Sequence, residues 1–155
     1  MKKDIFIDNS IASKHFSNPI DDEFKKLIDW ILSYNKDEEN DAFLVITPFL
    51  LKEYNESNRN ANSKTNITRI IDDLTKQDRL IRFSKKEIEA FKQDNFSKKT
   101  LKSLKTSETK DINHIPAVLM SDRKMALTED NNFFDDLNSF KNVIVKKRPE
   151  ELEYE

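Results

Sequence analysis

The sequence predicts an α/β domain in which a mostly parallel sheet of about five strands is flanked by helices. Short apolar runs of strand length alternate along the chain with segments of helical spacing, and this alternation is typical of parallel α/β folds. The runs are apolar almost throughout, as expected of strands buried on both faces. With 155 residues, the chain has the length of one compact domain. We expect a single domain with its core in about residues 4–145 and a charged tail in residues 146–155.

Local signals place the individual elements. Apolar residues recur at i, i+3, i+4 and i+7 within residues 21–32, which predicts a helix that Asp21 or Asp22 caps. Thr47 followed by Pro48 marks the start of another helix. The predicted strands are residues 4–7, 42–46, 79–83, 124–128 and 142–145. The further predicted helices are residues 67–74, a helix opened by the capping box at 84–87, a helix from about Asp111 to residue 120, and residues 131–140.

Composition excludes several classes of protein. Glycine is absent, so the chain lacks the phosphate-binding loop and the dinucleotide fingerprint, which need Gly where the backbone approaches phosphate. Cysteine is absent too, which excludes disulfides, thiolate metal sites and a Cys nucleophile. No apolar run approaches the roughly 20 residues of a membrane span, and Asp4 and Asp8 interrupt the first apolar stretch. We therefore expect a cytoplasmic protein with no membrane partner.

Four acidic residues are predicted to meet at the carboxyl edge of the sheet. Asp8 and Asp130 follow predicted strands. Glu53 lies about a turn and a half into the helix after the second strand, and Asp111 opens the helix before the fourth. Sites in parallel sheets form at this edge, where helices also begin. Clustered carboxylates repel each other unless a cation is present, and Mg²⁺ or Mn²⁺ takes such oxygen ligands. Taken singly, however, each Asp also suits a turn or helix cap, and Glu53 also suits a solvated helix face.

Several stretches of the sequence resemble the PIN-domain nuclease family, over roughly residues 4 to 145. They are "IFIDNS", "LLKEY", "KDINHI" and "ALTEDNNFF", and "SNPIDDEFKKLIDWIL" resembles a bacterial branch of the family. The acids of the first four stretches match acidic positions of the family one by one: Asp8, Glu53, Asp111 and Asp130. The resemblance implies a three-layer sandwich in which these acids bind Mg²⁺ or Mn²⁺. It also implies that the ions activate water to hydrolyse RNA or other single-stranded nucleic acid.

The same resemblance suggests partners and supporting residues. Many small bacterial members are the toxin of a toxin–antitoxin pair, so an antitoxin protein is an expected partner, and we also expect a homodimer. Family members often have Asn two positions after the first acid, where this chain has Ser10, with Asn9 beside Asp8. We expect Asn9 and Ser10 to lie around the ligands, with Ser10 hydrogen-bonded to a carboxylate or to a ligated water.

A basic segment, residues 92–110, has no clear period and contains six lysines against two acids. Most charge runs are solvated surface, but this one leads directly into Asp111. It is therefore a candidate for gripping a phosphate backbone, and its Ser and Thr content suggests a lid. Arg123 and Lys124 are further candidates, although they also suit the C-terminal dipole of the preceding helix. The predicted nucleic-acid contacts are Lys98, Lys99, Lys102, Lys105, Arg123 and Lys124.

Two other functions remain open at this point. The first is a PIN-like scaffold with weak or no catalysis, which binds nucleic acid or a protein partner, with Ser10 marking the loss. The second is a receiver-type regulatory module, which ranks last because the stretches "AFLVITP" and "RLIRFS" lack a phosphoacceptor Asp. The remaining titratable residues of interest are expected to be structural or surface groups: His15, His114, Asp122, Asp135 and Asp136.

Overall fold

A computed structural model of the chain describes residues 1–58 and 63–155. In this part of the chain, five strands form one sheet in the order β3-β2-β1-β4-β5, and every neighbouring pair is parallel. The predicted α/β class is therefore confirmed, with a sheet that is parallel throughout. The strands are β1 (Lys3–Ile7), β2 (Ala42–Ile46), β3 (Leu80–Arg82), β4 (Met125–Leu127) and β5 (Ile144–Lys146).

Helices cover the sheet and make it the middle layer of a three-layer sandwich. The described helices are α1 (Asn9–His15), α2 (Asp22–Leu32), α3 (Pro48–Asn58), α4 (Ile67–Lys76), α5 (Lys85–Asn95), α6 (Lys98–Ser103), α7 (Ile115–Met120) and α8 (Asn131–Asn138). Short 3-10 turns span Lys110–Asn113 and Pro149–Glu151. Because parallel crossovers are right-handed, this strand order places α1–α4 on one face and α5–α8 on the other. No helix in residues 1–58 and 63–155 is both long and apolar enough to cross a bilayer.

The central strand β1 fixes the position of the candidate site. All five residues of β2 and the last four of β1 are buried, as expected of strands covered on both faces. The chain leaves β1 toward β2 and β3 and later returns on the other side of β1 to form β4 and β5. Ligands of open parallel sheets bind beyond the carboxyl ends of the strands at such a reversal point. Here that point is the end of β1 and β4, where Asp8 N donates to Leu127 O at 2.9 Å.

The helix starts follow the local signals in the sequence. Asp21 accepts a hydrogen bond from Glu23 N at 2.9 Å and caps α2. Thr47 Oγ1 accepts from Leu50 N at 3.1 Å and caps α3. Ser84 and Glu87 form the predicted capping box at α5. These signals act within three residues, which is why the sequence alone reveals them.

Two helices were not predicted, and one predicted helix is divided. Helix α1 follows Asp8 directly and has only 7 residues, too few to show a period. Helix α6 lies in the basic segment that lacked a pattern. The helix expected from Asp111 begins as a 3-10 turn, and α7 starts only at Ile115, with Pro116 in its first turn. Proline is tolerated there because the first helical N–H groups have no intrahelical partner.

The basic segment is packed against the domain, contrary to the expectation of a lid. Phe96 and Leu104 are buried on either side of α6. Asp136 of α8 is also buried, although it was expected on the surface, and it accepts hydrogen bonds from the backbone N–H groups of Lys105 and Thr106, both at 2.8 Å. The Thr106 hydroxyl donates to the same carboxylate at 2.6 Å. These bonds attach the segment to α8.

The core also extends beyond residue 145, so the last residues are not simply a charged tail. Leu152 and Tyr154 are buried, and the Tyr154 ring centroid lies 5.0 Å from that of Trp30. Arg148 binds the carboxylates of Asp21 and Glu150, each at 2.7 Å. The polar composition of the tail concealed these two apolar anchors.

Candidate metal centre

Three of the four predicted acids meet over the carboxyl end of β1, together with a histidine. Ligand atoms of Asp8, Glu53, Asp111 and His114 all lie within 4.8 Å of one another. Asp8 follows β1, Glu53 comes from α3 on one face of the sheet, and the 3-10 turn before α7 brings Asp111 and His114 from the other. The four-residue cluster therefore joins both helical layers at the reversal point of the sheet.

Asp8 is the buried centre of the cluster, with 4% of its surface exposed. Its Oδ2 accepts hydrogen bonds from Thr128 Oγ1 at 2.7 Å and from Ser10 Oγ at 2.8 Å. Burial raises the pKa of Asp8, although the hydrogen bonds from Thr128 and Ser10 and the nearby His114 oppose the rise. Ser10 therefore makes the hydrogen bond to a carboxylate that the sequence predicted.

Glu53 is held over β1 by its neighbour in α3. The buried Tyr54 hydroxyl donates a hydrogen bond to Ile7 O, at the last residue of β1. This hydrogen bond holds α3 against the end of β1 and thereby fixes the position of Glu53 above that strand. Glu53 Oε2 in turn lies 2.6 Å from His114 Nε2. Its side chain remains 26% exposed, so the carboxylate is accessible from solvent.

Burial and the neighbouring charges both act on Asp111. Its pKa is raised from the usual 3.8 to about 6: burial is the largest cause, the charges of Asp8, Asp130 and Glu53 contribute to the rise, and His114 opposes it. Like charges in one site disfavour the ionised form, and a bound cation would reverse that effect. The Asp111 side chain is 27% exposed, so the cluster opens toward solvent on this side.

His114 is the member of the cluster that sequence reasoning missed. It is fully buried, and its ring packs against Phe6 and Phe133 with centroid distances of 5.5 and 6.0 Å. Burial lowers its pKa, but the hydrogen bond to Glu53 and the surrounding carboxylate charges outweigh burial, so the pKa is raised overall. Its spacing from Asp111, three residues, was a signal that both side chains share one side of a helical turn.

Asp130, the fourth predicted ligand, lies outside the four-residue cluster. Its Oδ1 accepts a hydrogen bond from Phe133 N at 2.9 Å and caps α8, which is the ordinary role weighed for it from the sequence. Its side chain is exposed, yet its charge is close enough to raise the pKa of Asp111. Its participation in metal binding stays a prediction.

Asn9 forms hydrogen bonds with the end of α3, and its support of the ligands stays a prediction. Its amide donates to Ser57 Oγ at 2.8 Å, and its Oδ1 accepts from Asn58 Nδ2 at 3.3 Å. Both partners lie at the end of α3, and Ser57 is about one helical turn beyond Glu53. Asn9 therefore joins α1 to α3.

Arg123 and Lys124 lie at the amino edge of the sheet, whereas the four-residue cluster lies at the carboxyl edge. They precede β4, so they lie at its amino end, opposite the cluster. Arg123 N donates to Asp4 Oδ1 at 2.9 Å, and its guanidinium donates to Tyr154 O at 2.8 Å. Arg123 therefore joins this edge of the sheet to the C-terminal segment, and any contact of these two residues with phosphate stays a prediction.

The four predicted lysines of the basic segment differ in their surroundings. Lys105 forms an ion pair with Asp135 at 2.6 Å, so its positive charge already has a partner within the protein. The other three lie exposed on α6: Lys98, Lys99 and Lys102. Their contact with nucleic acid stays a prediction.

The donor set of the cluster fits a divalent cation. Buried carboxylates normally have a cationic partner or bind a metal, and the buried Asp8 meets two partly exposed carboxylates and one imidazole here. Carboxylate oxygens suit Mg²⁺ and Mn²⁺. Comparison of the chain with protein-family models, curated proteins and solved structures finds no match. Membership of the PIN family therefore stays a prediction from the sequence motifs.

Proposed function

We propose that the protein is a metal-dependent nuclease that hydrolyses phosphodiester bonds of RNA, or of other single-stranded nucleic acid, in the manner of PIN-domain enzymes. The observation that carries the proposal is the convergence of Asp8, Glu53, Asp111 and His114 within 4.8 Å at the carboxyl end of β1. Asp130 is proposed as an outer member of the same site. The cofactor would be Mg²⁺ or Mn²⁺, held by the carboxylates.

The surroundings of the carboxylates suit a polymeric substrate. A Mg²⁺ or Mn²⁺ ion held by these carboxylates would activate water and stabilise the negative charge that develops on the phosphoryl oxygens. Thr128 and Ser10 hold Asp8 in one orientation. Glu53 and Asp111 are each about a quarter exposed, with side-chain exposures of 26% and 27%. A phosphate on an extended strand can therefore reach them from solvent, and the exposed lysines of α6 can pair with neighbouring phosphates.

The remaining partners and the location stay predictions of the same proposal. The sequence resemblance implies a toxin role with an antitoxin partner, composition is the basis for a cytoplasmic location, and a homodimer is a separate prediction. The alternative is a PIN-like scaffold that binds nucleic acid or a protein partner without cleaving. Metal binding and cleavage measured on one set of variants separate the two.

The test measures Mn²⁺ binding by calorimetry and cleavage of labelled single-stranded RNA and DNA. Wild type is compared with the double variant Asp8→Asn, Asp111→Asn and with the control Asp122→Asn, whose carboxylate lies at the opposite edge. We expect wild type and control to bind and cleave, and the double variant to do neither. Binding without cleavage would favour the scaffold, and no Mn²⁺ binding by wild type would refute the metal site.

A further inference from the structure

We infer that His114 is a positioning residue that donates a hydrogen bond from Nε2 to Glu53 and does not itself bind the metal. The metal would then be held by carboxylate oxygens alone. The hydrogen bond exists without any metal, whereas the choice of ligand atoms rests on the proposed function. This assignment differs from the simplest interpretation of the cluster, in which the imidazole is a fourth ligand.

The contact between His114 and Glu53 requires a proton on Nε2. An ionised carboxylate only accepts hydrogen bonds, and an imidazole nitrogen donates only when it carries hydrogen. At 2.6 Å, Nε2 and Glu53 Oε2 are within charge-assisted hydrogen-bond distance. Asp111 Oδ1 is 3.9 Å from the same nitrogen, which is beyond hydrogen-bond range. The Nε2–H group therefore donates to Glu53, and a protonated Nε2 has no lone pair for a cation.

The second ring nitrogen supports the same assignment. If Nε2 bound a metal, the ring would carry its proton on Nδ1, and ligating histidines almost always donate that proton to a carboxylate, a carbonyl or water. Among the residues that the structure describes, Nδ1 of His114 is buried and has no hydrogen-bond partner. A proton there would be a buried donor without an acceptor, between Phe6 and Phe133. Placing the proton on Nε2 avoids this cost.

The consequence is a rigid Glu53 carboxylate. A Glu side chain that is 26% exposed can adopt several rotamers. The His114 ring is held by Phe6 and Phe133, and His114 N donates to Asp111 O at 2.9 Å. The fixed ring thus fixes Glu53 Oε2 and leaves Oε1 without that hydrogen bond. An oxygen-only donor set suits Mg²⁺ and Mn²⁺, whereas an imidazole ligand would favour Ni²⁺ or Zn²⁺.

Two spectroscopic measurements test the inference on the wild-type protein. Long-range ¹H–¹⁵N NMR of the metal-free chain should show a proton on Nε2 of His114, whereas a proton on Nδ1 alone would overturn the assignment. Pulsed EPR of the Mn²⁺-loaded protein should show no coupling to an imidazole nitrogen, and such a coupling would overturn it as well. Failure of the proposed function is distinguishable, because it would appear as no Mn²⁺ binding while the metal-free NMR result stands on its own.

Substitutions provide a second, independent test. His114→Gln keeps an N–H donor at about the reach of Nε2, whereas His114→Leu removes it; His15→Gln is the matched control, since His15 pairs with Glu129 outside the cluster. Mn²⁺ affinity should fall by less than about threefold in His114→Gln and His15→Gln, and by about 10- to 100-fold in His114→Leu. The ratio of Ni²⁺ to Mg²⁺ affinity should not change in His114→Gln. An equal loss in the Gln and Leu variants, or a selective loss of Ni²⁺ affinity in His114→Gln, would overturn the inference. If His114→Leu does not fold, the ion ratio of the Gln variant and the wild-type spectra decide.

Discussion

The central strand β1 has a buried aspartate near each end, and the hydrogen-bond donors and charges around the two differ. Asp4, at the amino edge, accepts hydrogen bonds from the backbone N–H groups of Asp122 and Arg123 at 2.8 and 2.9 Å, beside the Arg123 side chain. Asp8, at the carboxyl edge, receives two hydroxyl bonds on one oxygen and faces two further carboxylates. Asp4 is thus provided with donors and a cation by the protein itself. Asp8 is left in a site whose negative charge a metal ion can balance.

The largest expected effect is on metal affinity, and it should occur at one edge only. Changing Asp8 and Asp111 to Asn removes two of the three carboxylates, so Mn²⁺ affinity should fall by at least about 100-fold. Asp4→Asn should change it by less than about threefold, because Asp4 lies at the far end of the strand. Calorimetric titration with Mn²⁺ measures both. Equal losses in the two variants would remove the distinction between the edges.

For the free energy of unfolding, we expect the reverse order, with the larger effect in Asp4→Asn. Asp4→Asn weakens two hydrogen bonds from backbone N–H groups to the buried carboxylate and removes a charge beside Arg123, so the free energy of unfolding should fall by about 2 kcal/mol. Asp8→Asn, without metal, removes a carboxylate whose pKa burial raises, so unfolding should become no easier at pH 7. Urea denaturation of the metal-free variants checks both. A larger loss in Asp8→Asn than in Asp4→Asn would contradict the metal-site assignment.

The carboxyl edge should also make stability depend on pH. Burial and the neighbouring carboxylates raise the pKa of Asp111 from 3.8 to about 6, so between these values the folded chain holds a proton that the unfolded chain releases. Stability of the metal-free protein should therefore fall as pH rises from about 4 to about 6, by about 1 to 2 kcal/mol after allowing for partial exposure. Denaturation across this range measures the slope. The slope should shrink in Asp111→Asn and with saturating Mn²⁺, and an unchanged slope in both would refute its assignment to Asp111.

The smallest expected effect concerns the exposed lysines of α6. Changing Lys98, Lys99 and Lys102 to Glu should lower affinity for single-stranded RNA by about three- to tenfold and flatten its salt dependence, since each phosphate contact adds to the salt slope. Filter binding at several salt concentrations measures this. The charge-matched control changes Lys25, Lys26 and Lys141 to Glu, which lie exposed on α2 and in the loop before β5. Equal effects of both triple variants would indicate unspecific attraction.

Much of the fold could be predicted from local sequence because its signals act over short distances. Strand β2 matches the predicted residues 42–46, and the caps at Thr47 and Ser84 are confirmed. Helices α1 and α6 could not be predicted, because 7 and 6 residues show no period. Tyr154 was placed in a charged tail, since a buried ring at a chain end becomes evident only through its contact with Trp30.

By itself, the sequence determined where the five strands and the longer helices lie along the chain and placed acids after β1 and β4, since hydrophobic period, capping and strand ends are local properties. Only the tertiary structure decided which acids meet. Glu53 contacts His114 across 61 residues, and Asp4 accepts from Arg123 across 119. Local pattern does not show what Asp4 and Asp8 contact, because their hydrogen-bond partners come from distant segments that only the folded sheet brings together.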